Sequence, residues 1–94
     1  MFEQKYYYSL MSPKQRRWLR MKMVKEQEHK CWYCGNFVSM PPPEHIANYK
    51  YNMKRFPPNM LKHPVHLHHD HKTDECLGAV HAKCNMYMWE VDGK

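Results

Sequence analysis

Ninety-four residues with seven Tyr, nine Met and few aliphatic side chains exclude more than one domain and a self-sufficient hydrophobic core, so a metal or a partner has to complete the fold. A formal charge of +6, from 15 basic against 9 acidic residues, suits a polyanionic partner, although an ordinary solvated surface carries the same balance. No apolar run approaches the roughly 20 residues of a membrane span and the N-terminus lacks the apolar core of a secretory signal, which predicts a reducing cytoplasm, no membrane partner, and reduced cysteines.

In chain order, Tyr6-Tyr7-Tyr8 comes first. These rings and Trp18 suit stacking on unpaired bases or burial in a core. Ser12-Pro13-Lys14-Gln15 combines an N-cap serine, a proline for the first helical position and a glutamine placed for a capping box, which predicts a basic helix from about Pro13 to Gln27 within segment 1–30. Leu19 and Met23 lie four apart on its apolar patch. Arg16, Arg17 and Arg20 cover the remainder with lysines, a face suited equally to phosphates and to plain water.

Cys31-Trp32-Tyr33-Cys34-Gly35 follows, a Cys-x-x-Cys turn closed by glycine that aims two thiolates at one metal, a spacing shared with redox pairs. Pro41-Pro42-Pro43 then breaks the chain. From Glu44 to Phe56, Ile46, Tyr49 and Met53 recur at helical spacing with Lys50 and Lys54 on another face, which predicts a second basic helix bearing Arg55 near its end.

After Pro64 the alternation of Val65-His66-Leu67-His68 predicts a strand with the two aliphatic residues on one side and the two histidines on the other. Lys72 to Glu75 reads as a turn, Leu77 to Val80 as a returning strand and Cys84 to Val91 as a closing helix. His81-Ala82-Lys83-Cys84 repeats the two-residue spacing of the first pair, which predicts a tetrahedral structural zinc site of Cys31, Cys34, His81 and Cys84. Cys76 in place of His81, or buried cysteines without metal, are the competing readings.

Five of the eight histidines fall between positions 63 and 71. Imidazole serves as metal ligand and as base near neutral pH, and on a strand the neighbours His68 and His69 point to different sides, so one can ligate while the other faces a water.

Taken together, Cys31-x-x-Cys34, His66-Leu67-His68-His69-Asp70-His71 and Gly78-Ala79-Val80-His81-x-x-Cys84-Asn85 resemble the HNH nucleases of the phage recombination endonuclease VII type, from Cys31 to about Trp89. The resemblance implies an α+β HNH domain with a ββα-metal core at 65–91, held by the zinc knuckle at 31–34 and 81–84; with the basic N-terminal helix of 1–30 and segment 36–64, which has no counterpart in the family and is read from its periodicity as a mainly helical, DNA-contacting insertion, it makes one domain over 1–94. It implies a DNA endonuclease in which His69 is the general base, His71 a further catalytic histidine, and His68 and Asn85 the ligands of a catalytic divalent ion. Two departures matter. Endonuclease VII relatives carry aspartate where this chain has His68, which shifts preference toward softer divalent metals and leaves Mg²⁺, Mn²⁺ or another divalent transition metal as the expected catalytic ion, and His81 replaces the usual third zinc cysteine.

DNA is the expected partner, through phosphate contacts by Arg16, Arg17, Arg20, Lys50, Lys54 and Arg55. Cutting both strands with one centre per chain calls for a homodimer, whereas nicking needs only a monomer. A zinc-binding nucleic-acid module without catalysis has the same charge and knuckle, but gives no role to His68, His69 and Asn85.

Overall fold

The computed structural model describes residues 5–57 and 59–91. These form a small α+β fold whose described residues hold three α-helices, α1 (Pro13–Glu26), α2 (Glu44–Ala47) and α3 (Ala82–Val91), and one antiparallel pair, β1 (Val65–His69) and β2 (Cys76–His81). Among the described residues, no helix is long and apolar enough to cross a membrane.

Helix α1 begins where its sequence dictates. The Ser12 hydroxyl accepts the Gln15 N–H at 3.2 Å while the Gln15 side chain accepts the Ser12 N–H at 2.8 Å, and Pro13 needs no partner in the first turn. Leu19 and Met23 are buried against the hairpin. The helix stops as the chain turns through left-handed backbone at Glu28 and His29 (φ 56° and 65°), which delivers residues 31–34 to the edge of β2.

In the hairpin, Leu67 pairs with Ala79, His66 with Val80 and His68 with Gly78. A bulge follows, because His69 pairs with Cys76 and leaves Leu77 as the extra residue on β2. The inserted residue reverses the alternation, so Cys76 joins Ala79 and Leu67 under α1 rather than Gly78 and Val80 under α3. The sheet therefore divides two thin cores. Leu19, Met23, Leu67, Cys76 and Ala79 fill one, with Tyr6 and Tyr8 against it, while Cys31, Ile46, Val80, Cys84 and Met88 fill the other.

The outward backbone of Ala79 is satisfied by a side chain from α1's end. The Gln27 amide accepts the Ala79 N–H at 2.9 Å and donates to the Ala79 carbonyl at 2.9 Å, as a neighbouring strand would, and the Trp32 N–H reaches that carbonyl at 2.9 Å. Residues 6–9 lie along the hairpin's other end. Tyr8 donates to the Asp74 carbonyl at 2.9 Å, Cys76 donates to the Tyr6 carbonyl at 2.7 Å, and Ser9 caps the Asp74 carboxylate.

Segment 36–64 is not the helical insertion that its periodicity predicts. Only α2 and a short 3₁₀ turn at Met53–Arg55 are helical in its described residues, so Lys50 and Lys54 do not share a helix face. Asn48 ends α2, and tertiary partners take its free carbonyls: Tyr51 Oη donates to Ile46 at 2.7 Å and Lys83 Nζ to Ala47 at 3.0 Å. Of the three periodic residues only Ile46 is buried; Tyr49 and Met53 are exposed.

Candidate metal centre and histidine cluster

The knuckle turn and the β2–α3 junction meet. The ligand atoms of Cys31, Cys34, His81 and Cys84 all lie within 4.8 Å of one another, close enough to hold one metal ion. Gly35, at φ 83°, turns the chain back after Cys34 and donates to the Cys31 carbonyl at 3.0 Å, a conformation that strains a residue with a β-carbon.

His81 is oriented from outside. Its Nε2 lies 2.7 Å from the Met40 carbonyl and 3.0 Å from that of Phe37, so that nitrogen bears the proton, and Nδ1 turns its lone pair toward Cys34 Sγ at 3.4 Å and Cys84 Sγ at 3.5 Å. A hydrogen bond from Cys84 and backbone N–H groups, among them that of His81 at 3.5 Å, hold the Cys31 thiol well below the ordinary thiol range, while the same bond pushes Cys84 up. Burial raises Cys34. Three sulfurs this close do not all ionise without a cation between them, and one imidazole lone pair joins them, so the donor set fits structural zinc. Cys76 lies in the other core and takes no part; burial raises its thiol to about 11.

The second cluster is built on both faces of β1. His66 and His68 point toward α3, where the Asn85 amide stands between them: Oδ1 is 3.3 Å from His68 Nδ1 and Nδ2 is 3.2 Å from His66 Nδ1. His68 is buried and Trp32 tilts over it at 5.5 Å, which Gly78 permits because a β-carbon there would overlap the Trp32 side chain.

His69 faces the other way and stacks on Tyr8. Burial lowers its pKa most, with His71 adding to the effect, while Asp74 opposes it. His71, beyond the strand, is exposed and bridges the two faces: its ring is 4.5 Å from His69 and 4.1 Å from Trp89, one helical turn past Asn85. The path from His69 to Asn85 thus runs round the turn end of the hairpin.

The other named residues find mixed positions. Asp70 caps the turn, accepting from the Lys72 N–H at 2.7 Å and the Thr73 N–H at 3.2 Å. Trp89 is 40% exposed and lines a cavity of about 490 Å³ with Arg55, Phe56, Pro57, Met60 and Glu90. Arg16 sits over the Tyr8 ring and donates to the Tyr8 carbonyl at 3.1 Å, so one of the expected phosphate contacts is also structural. Arg20 is close enough to lower the His66 pKa, which burial lowers most; Arg17, Lys50 and Lys54 are exposed. Sequence reasoning gave His66 and Tyr8 no role in this cluster. The alternation that put His66 on the face of His68 was the signal for the first, and the distance of Tyr8 in the chain concealed the second.

A comparison with protein-family models, curated proteins and solved structures found no match for the chain.

Proposed function

We propose that the chain is a metal-dependent DNA endonuclease with an HNH-type ββα-metal core, in which the zinc knuckle clamps hairpin to helix. The observation that carries the reading is the division of the adjacent histidines, with His68 buried against Asn85 and His69 on the opposite face beside His71. This gives one imidazole to a ligand site and another to proton transfer.

His68 and Asn85 are the residues to hold a divalent ion, which supplies stabilisation of the charge that develops on the phosphate. Neutral His69 takes a proton from water, the water oxygen bonds to phosphorus, and the bond to the 3′ oxygen breaks. His71, exposed at the hairpin's turn end, would return a proton to that oxygen. Arg20, whose charge reaches His66, and Arg55, which lines a cavity with Trp89, lie beside the cluster and would hold backbone phosphates together with the exposed Arg17.

Nicking of supercoiled plasmid by the zinc-loaded chain, with Mg²⁺, Mn²⁺, Co²⁺ or Ni²⁺ added in turn, tests the reading. Cleavage that disappears in His69→Ala, with zinc content and melting unchanged, is the expected result. DNA binding without nicking under every ion would replace the enzyme with a non-catalytic nucleic-acid module.

A further inference from the structure

Beside the zinc centre, the residues around Asn85 present more donors to an ion than His68 alone. His66 and His68 stand two apart on one strand, so their side chains leave the same face, and both rings turn the same nitrogen, Nδ1, to the two ends of one amide, at 3.2 and 3.3 Å. A ring that merely fills space has no reason to share this orientation with its neighbour.

The Asn85 Nδ2 can only donate, so His66 accepts through Nδ1 and its lone pair faces Asn85. In the zinc centre His81 likewise turns its Nδ1 lone pair to the metal position. The lone pair that now accepts the Asn85 N–H would become a donor to an ion once the amide turned that N–H aside.

We infer that His66 is a third protein ligand of the ion held by His68 and Asn85, and that this set selects a divalent transition metal over magnesium. The inference rests on the assignment of His68 and Asn85 as ligands. Two imidazole nitrogens and one amide oxygen carry no charge, and the aspartates of the hairpin are engaged elsewhere, Asp70 with the turn backbone and Asp74 with Ser9. Imidazole suits the later first-row ions, with affinity rising from manganese through cobalt to nickel, whereas magnesium prefers carboxylate and water. Three ligands leave positions open to water and phosphate, as a catalytic site requires.

The test is calorimetric titration of Ni²⁺ into the full chain already loaded with one zinc, beside His66→Ala, His66→Gln and His68→Ala. Wild type is expected to take one further ion, with Mg²⁺ failing to compete at millimolar concentration. Both His66 variants should bind it more than about tenfold more weakly with zinc content unchanged. In Co²⁺-loaded wild type the His66 ring protons should be hyperfine-shifted, a readout that needs no variant. Loss of binding in His68→Ala with wild-type affinity in both His66 variants, and no shifted His66 resonance, overturns the third ligand but leaves the two-ligand site. A wild-type chain that binds no ion beyond zinc overturns both.

Discussion

The imidazole of His69 lies flat on the phenol of Tyr8, with ring centroids 4.0 Å apart and planes 11° apart, and the Arg16 guanidinium sits over the same phenol at 4.0 Å. Tyr8 is anchored in turn by its N–H to the Asp74 carbonyl. An N-terminal residue therefore fixes the ring proposed as general base and removes it partly from water.

The first prediction is a pH profile. Burial lowers the His69 pKa below the ordinary imidazole value of about 6.5, so the neutral, proton-accepting form persists to lower pH. Cleavage should be present at and above that value and be lost as pH falls through the lowered pKa. A cation near His68 shifts it the same way. Tyr8→Ala exposes the ring, which should move the acid limb upward and reduce kcat, while His69→Ala abolishes cleavage at every pH. An acid limb that stays in place in Tyr8→Ala refutes the positioning role.

Removal of zinc should unfold the chain. The metal position joins residues 31–34 to the β2–α3 junction, and the cores on either side of the sheet are small. Cys31→Ser and treatment with a strong chelator are expected to abolish the cooperative melting transition. Cys76→Ala should keep one zinc per chain, measured by atomic emission. Cooperative melting without metal would show that the knuckle is dispensable.

Cys76 gives an alkaline signature. Its folded pKa is raised to about 11 by burial, so the fold favours the protonated thiol. The stability this contributes is present below the ordinary thiol value, about 8.5, and is lost as pH rises through about 11. Wild-type melting temperature should fall across that window, and the fall should flatten in Cys76→Ala.

Gln27→Ala removes the amide that pairs with both backbone groups of Ala79, leaving the N–H without that acceptor. A cost of about 1–3 kcal/mol is expected from denaturant titration. Gly78→Ala drives a β-carbon into Trp32, whose backbone is tethered to Ala79, at about 1–3 kcal/mol. Because Trp32 also covers His68, that variant should weaken Ni²⁺ binding as well.

DNA affinity should fall steeply with salt if phosphate contacts dominate. Arg17, exposed on α1, should lower the salt slope by about 1 when replaced by Ala. Arg16→Ala should in addition release Tyr8 and shift the pH profile. Fluorescence anisotropy across a salt series separates these effects, and a flat response would contradict phosphate-led binding.

Local chemistry carried much of the molecule into the sequence. The capping box of Ser12 and Gln15, the alternation from Val65 to His68, and the paired two-residue spacings of the four proposed zinc ligands are short-range patterns whose physical causes lie within a few residues. Each is realised as α1, β1 and the clustered ligand atoms. What lay outside such patterns was decided by contacts between distant segments. The periodicity at 44–56 failed because Tyr51 and Lys83 satisfy α2's carbonyls and no buried face rewards a longer helix. Trp89 is exposed because the thin core beside it is already filled by Met88, Val80 and Ile46. The company of His66 and His69 followed the same rule: a strand sets which way a side chain points, but only tertiary packing brings Asn85 to one face and Tyr8 to the other.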